Sequence, residues 1–115
     1  MIDEAVIHRI VGSVSVMRGQ LRYLVESAQQ GKTTVQVVPY RAGAHAGTTG
    51  PFVILDFPEP TDPPVVYVET LAGDIYLEER SDVNRCTLAF DRLRAASLHP
   101  DDSVQMIERL ARTLR

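Results

Sequence analysis

Residues 40–69 restrict the fold more than any other part of the chain, because they set two short apolar runs on either side of a proline-rich connector. The first run, 51–57, follows a glycine-rich loop, and the second, 65–69, follows the connector 58–64. Prolines lack the backbone N–H that a helix or a central strand requires, so no regular element can continue through the connector. Both runs are therefore predicted to be strands. The first, apolar on both faces except at Asp56, is placed centrally in the sheet.

Periodicity and turn residues divide the rest of the chain into further strands and three helices. Apolar residues recur at helical spacing after Ser13, a residue type that caps helices, and Gly31 stands where a left-handed C-cap residue belongs. The order β-α-β-β-β-β-α-α predicts one α+β domain over residues 1–115, with a mostly antiparallel sheet of about five strands and helices packed on one face. The predicted elements are a strand over 5–11, a helix over 14–30, strands over 33–39, 52–57, 65–71 and 75–79, and helices starting at Ser81 and Pro100.

Composition argues against several classes of function. The chain has 115 residues and a net charge of −3, with a single Cys, Cys86. An acidic balance supplies no stripe of cations for nucleic acid, so we expect no direct nucleic-acid binding. A lone cysteine excludes an intrachain disulfide and a cysteine-based zinc site, and no metal or other cofactor is expected. Without a long apolar run or a secretory segment, the expectation is no membrane association and a cytoplasmic location.

His45 is the first candidate functional residue, because it lies between glycines in the loop 40–50. An imidazole titrates near neutral pH, so His45 is suited to act as a general base or a ligand contact. The alternative is that His45 only fixes the loop through a backbone hydrogen bond.

Tyr67 and Glu69 are the second candidates, since residues two apart on a strand point to one face. In a partly dry cleft the carboxylate would act as an acid or a base, with Val65 and Leu71 completing the face. The alternative is a sheet edge whose carboxylate pairs with arginine. Asp56 is the third candidate, either functional or a buried acid tied to arginine or to backbone amides.

Five segments carry a resemblance to a known family. They read IDEAVIHR, VMRGQLRYLVESA, TVQVVPYRAGAHAGTTGPFVILDFPEP, VVYVETLAGDIYLEE and CTLAFDRLRAASLHPDDSVQMIERLA. From Glu4 onward the chain resembles the C-terminal, antitoxin-like regulatory domain of XRE-type helix-turn-helix transcription regulators. The DNA-reading helices of that family are absent from this sequence, so we expect either a short gene or a product begun internally.

The resemblance implies a regulatory module without enzymatic activity, which binds a small partner protein encoded next door or a small-molecule effector. The alternative is a small stand-alone enzyme or ligand-binding protein of a biosynthetic pathway, with acid/base or substrate-shaping residues in a cleft by the sheet. A homodimer is also expected, because lost covering helices would leave apolar strand faces open. The residues expected to contact the ligand or partner are Tyr40, Arg41, His45, Phe52, Tyr67 and Glu69.

Overall fold

The computed structural model describes residues 1–45 and 50–115 and confirms a mixed α+β fold. These residues gather into two compact units. Unit 1 joins Met1–Gly43 to Ala96–Arg115, and unit 2 is Ala44–Ala95. The described elements are β1 (Ile2–Asp3), α1 (Glu4–His8), α2 (Val14–Gln29), β2 (Val37–Val38), a 3₁₀ turn (Tyr40–Ala42), β3 (Phe52–Leu55), β4 (Val65–Thr70), β5 (Gly73–Leu77), α3 (Arg80–Ala96) and α4 (Pro100–Thr113).

The strands form two separate sheets in the described part of the chain. β1 and β2 pair in parallel, with Ile2 opposite Val37 and Asp3 opposite Val38. β3, β4 and β5 form an antiparallel sheet in that order. Most of the pairing is therefore antiparallel, as predicted, but the strands do not share one sheet. The predicted strand over 33–39 is reduced to its last apolar pair, Val37–Val38.

The core of unit 1 lies where α2 packs against α4. Both helices are amphipathic, so each buries one stripe and leaves the opposite face in water. Their buried apolar side chains meet Ile7 from α1 and the valines around β2. The fully or nearly buried residues of this cluster are Ile7, Met17, Leu21, Val25, Val35, Val37, Ile107 and Ala111.

The strand predicted over 5–11 is wrong, because the chain turns into helix α1 at Glu4. The side chain of Asp3 accepts a hydrogen bond of 2.8 Å from the backbone N–H of Ala5, which caps the helix at its N-terminus. The strand β1 is Ile2–Asp3, and its second residue is the cap itself. Of the β-branched residues that favoured a strand, Val6 and Ile7 lie on this short helix, which buries Ile7, and Ile10 and Val11 follow its end.

Helix α2 begins and ends as its sequence indicates. The hydroxyl of Ser13 accepts from the N–H of Val16 at 3.1 Å. At the other end Gly31 has φ +72°, and the N–H groups of Gly31 and Lys32 donate to the carbonyls of Ala28 and Ser27. This is the Schellman arrangement, in which a glycine takes the left-handed position.

Ser103 links α4 to β2 inside unit 1. Its hydroxyl is fully buried and accepts the backbone N–H of Val37 at 2.9 Å. The carbonyl of Val37 accepts the N–H of Leu98 at 2.8 Å. Both backbone groups of this buried strand residue are thus satisfied, as buried polar groups require. The apolar pattern of α4 gave no indication of this role.

In unit 2, β4 rather than β3 is the central strand. The prediction that the first apolar run lies centrally is therefore wrong. β3 is an edge strand in which exposure alternates, with Phe52 and Ile54 half-buried and Val53 and Leu55 exposed. The alternation arises because one face of an antiparallel sheet can remain in water.

Candidate functional site

The antiparallel sheet has one covered and one exposed face. Val66 on β4 is fully buried, and its neighbours on that face, including Phe52, are mostly half-buried. The opposite face, here called the Tyr67 face, is half-buried to exposed. Because paired residues share a face, the register assigns seven side chains to it. They are Val53 and Leu55 from β3, Val65, Tyr67 and Glu69 from β4, and Asp74 and Tyr76 from β5.

Tyr67 lies at the centre of this face. Its hydroxyl donates a hydrogen bond of 3.1 Å to Oε1 of Glu69. Its ring lies beside that of Tyr76, with centroids 5.2 Å apart and a tilt of 46°. Tyr76 stands directly opposite Tyr67 in the register, and Asp74 stands opposite Glu69. Two tyrosines and two carboxylates therefore form one cluster at the hairpin end of the sheet.

The cluster keeps the Tyr67 hydroxyl protonated. Partial loss of water around the phenol, hydrogen bonds to Asp74 and Glu69, and the negative charges of these two carboxylates together raise the pKa of Tyr67 to about 12. At neutral pH this phenol is a hydrogen-bond donor. It is unsuited to accept a proton as a general base.

The rest of the Tyr67 face is apolar and open. Val53 is 48% exposed, Leu55 is 40% exposed and Tyr76 is 63% exposed. Isolated exposed apolar residues are ordinary, but these three belong to one continuous sheet surface. The face thus combines an apolar platform with a carboxylate rim.

The structure brings together two of the four predicted catalytic candidates, Tyr67 and Glu69. Asp56 follows the end of β3 and is exposed, so it is not a buried acid. Leu55 pairs with Val65, so Asp56 lies just beyond the start of β4, whereas Glu69 lies near the other end of that strand, five residues or roughly 17 Å away along it. Asp56 and Glu69 therefore do not form one site.

Two further predictions about this face need correction. Phe52 pairs with Val68, so it lies on the opposite face from Tyr67 and does not share a surface with it. Leu71, expected to extend the face, lies in the hairpin turn and is fully exposed. The strand ends at Thr70, whose hydroxyl donates to the carbonyl of Gly73 at 2.6 Å and closes the turn.

Tyr40 and Arg41, the other expected contacts, belong to the 3₁₀ turn of unit 1 and are exposed. The backbone N–H of Tyr40 donates to Oε1 of Glu4 at 2.8 Å, and the ring of Tyr40 stacks on His8 at 5.7 Å. The other oxygen of Glu4 lies 3.0 Å from Nε2 of His8. Helix α1 thus fixes the start of the glycine-rich loop.

His45 is half-buried at the start of unit 2. Residues 46–49 of the loop lie outside the described residues. The convergence of His45 with Tyr67 and Glu69 therefore stays a prediction.

A shallow groove of about 260 Å³ runs between α2 and α4 of unit 1. Its floor is apolar, from Val25 and Ala111, and its rim carries charges of both signs. The rim residues are Arg22, Glu26, Gln29, Glu108 and Arg112. The volume is below the roughly 300–1,000 Å³ of pockets that enclose drug-sized ligands.

Over 1–45 and 50–115, no three His, Cys, Asp or Glu side chains are grouped so that they could hold a metal ion. In the same ranges, no helix has the length and apolarity needed to cross a membrane.

In structural terms the chain is an α+β protein whose antiparallel sheet has one open face that carries tyrosines. The chain belongs to a family known as Domain of unknown function (DUF5753), whose model matches residues 1–109. No curated protein matches it, and no solved structure does.

Asp74 and Tyr76 are the site residues that sequence reasoning missed. The sequence of the hairpin turn could have identified them. The strands predicted over 65–71 and 75–79 leave residues 72–74 for the turn, whereas Leu71 and Ala72 form it and Thr70 pairs with Gly73. Counting outward from that pair puts Asp74 opposite Glu69 and Tyr76 opposite Tyr67, since register follows from the turn.

Proposed function

We propose that this chain is a regulatory partner-binding module that docks a protein through the Tyr67 face. The observation that supports the proposal is the exposed apolar platform of Val53, Leu55 and Tyr76 on a hydrogen-bonded sheet. Aromatic residues are enriched in protein interfaces, where a rigid ring contributes contact area at low cost in conformational entropy. A sheet holds such a platform in place before the partner arrives.

The resemblance to the C-terminal domain of XRE-type regulators supports the same function. It suggests that the partner is a small protein encoded by the neighbouring gene. The groove between α2 and α4 is less suited to an effector, because its volume of about 260 Å³ falls below the usual range for a binding pocket. A role for Tyr67 as a general base is disfavoured, because its raised pKa keeps the hydroxyl protonated at neutral pH.

Calorimetric titration of the chain with the protein encoded by the neighbouring gene tests the proposal. Interface anchors typically lose about 2 kcal/mol or more on truncation, or roughly 30-fold in affinity, so Tyr76→Ser and Val53→Ser should each weaken binding on this scale. Val16→Ser is the matched control, since Val16 is also an exposed valine, 62% accessible, but lies on α2. Equal affinity for wild type and both face variants, or no binding by the wild type, overturns the proposal.

A further inference from the structure

Charge is distributed very unevenly along this chain. Residues 46–79 contain seven acids, Asp56, Glu59, Asp62, Glu69, Asp74, Glu78 and Glu79, and no Arg, Lys or His. The whole chain has 12 basic and 15 acidic residues, so the other residues carry 12 basic and 15 − 7 = 8 acidic side chains. The segment that builds the antiparallel sheet therefore has a net charge of −7, and the remainder has +4.

Two of these acids belong to the Tyr67 face and stand directly opposite each other. Glu69 on β4 pairs with Asp74 on β5, and both are exposed. Like charges placed directly across a pair of strands are destabilising. Within residues 1–45 and 50–115, neither carboxylate forms an ion pair with a basic side chain. The Tyr67 hydroxyl donates to Glu69 and lies within hydrogen-bond reach of Asp74.

The apolar part of the face and this rim together specify the chemistry of an occupant. Val53, Leu55 and Tyr76 offer contact area to apolar side chains, and the Tyr76 ring, 63% exposed, offers an open face to a cation. A guanidinium or ammonium beside Glu69 and Asp74 would compensate the repulsion between the two carboxylates.

We infer that the partner bound at the Tyr67 face is a protein segment that presents arginine or lysine among apolar side chains, with a cation at Glu69 and Asp74. The inference rests on the proposed function and adds the partner's charge. A second copy stacked face to face would set the segment of net charge −7 against itself, and the phosphates of a nucleic acid would be repelled in the same way.

Three synthetic peptides that differ only in charge test the inference without requiring the natural partner. In each peptide, apolar positions (Val or Tyr) alternate with polar positions, and the polar residue is Arg in the first peptide, Gln in the second and Glu in the third. Each peptide carries a fluorophore for anisotropy titration. The Arg peptide should bind the wild-type chain more tightly than the Gln peptide, by a factor between about 2 and 25. This expectation follows because two exposed ion pairs contribute up to about fivefold each. The Glu peptide should bind most weakly.

The double variant Glu69→Gln/Asp74→Asn should remove most of the advantage of the Arg peptide over the Gln peptide. Glu59→Gln/Asp62→Asn is the matched control, because it changes charge by the same amount at exposed positions of the same unit, in the proline-rich connector. The control should keep the advantage. Raising the salt from about 0.1 M to 1 M, which shortens the Debye length from roughly 10 Å to 3 Å, should reduce the advantage for wild type.

The outcomes separate the inference from the proposed function. If the Arg and Gln peptides bind equally, or if both double variants lose the same affinity, the inference is wrong. The proposed function still stands in that case if Tyr76→Ser weakens binding of the neighbouring-gene protein. If the Arg peptide is bound at the face but the neighbouring-gene protein is not, the proposed function is wrong as to its partner. Self-association of the chain that Tyr76→Ser abolishes, detected by light scattering, would make a second copy the occupant and overturn the inference.

Discussion

Ser103→Ala should destabilise unit 1 strongly for so small a change. Ser103 is fully buried, and its hydroxyl is the acceptor for the backbone N–H of Val37, itself fully buried. Alanine removes the acceptor and leaves the donor in an apolar environment. Water cannot replace the hydroxyl without entering the core formed by α2, α4 and β2, whose members are closely packed.

The magnitude follows from the cost of a buried, unpaired polar group, about 1–3 kcal/mol. Alanine favours a helix over serine by about 0.5 kcal/mol, which offsets part of this cost. The net loss is therefore about 0.5–2.5 kcal/mol in the free energy of unfolding. For a chain of 115 residues, about 4 °C of melting temperature corresponds to each kcal/mol, so the expected decrease is about 2–10 °C.

Urea denaturation followed by circular dichroism measures the loss, and amide hydrogen exchange localises it. Ser15→Ala is the control, because Ser15 is an exposed serine within α2 and reports the helix-propensity gain alone. The Val37 amide should exchange faster in Ser103→Ala than in Ser15→Ala. If the two variants have equal stability and equal exchange at Val37, the hydrogen bond between Ser103 and Val37 does not contribute as argued.

Three further predictions concern other parts of the chain. Gly31→Ala should lower the free energy of unfolding by about 1–2 kcal/mol, because φ is +72° at this position. Gly19→Ala, within α2 and with open space around the added Cβ, should raise it by about 0.5–1 kcal/mol. Denaturant midpoints that move in the same direction for both variants would contradict this. Because folding raises the pKa of Tyr67 from 10.0 to about 12, its contribution to stability is present below pH 10 and is lost as the pH rises through 12. Tyr67→Phe should therefore lose less stability than wild type over that interval, in thermal melts at matched pH. The chain should show no salt-dependent DNA binding in an anisotropy titration at physiological ionic strength, given its net charge of −3, and micromolar binding would refute that expectation.

Elements that depend on neighbouring residues can be predicted from the sequence. The bounds of α2 follow from the Ser13 cap and the left-handed Gly31, and α4 begins at Pro100 because proline suits the first helical turn. The two apolar runs are strands because prolines interrupt the chain between them. The pairing of Tyr67 with Glu69 on one face follows from the two-residue period of a strand.

Which elements pair, and what each of their faces contacts, depends on tertiary contacts. The parallel contact of β1 with β2 joins residues 35 positions apart in the chain, from Ile2 to Val37. The Ser103 hydroxyl reaches a strand 66 residues away. Whether an apolar strand is central or at an edge depends on its partners, so β3 could not be placed from its own composition. These features arise from contacts between distant segments, for which a single sequence carries no local signal.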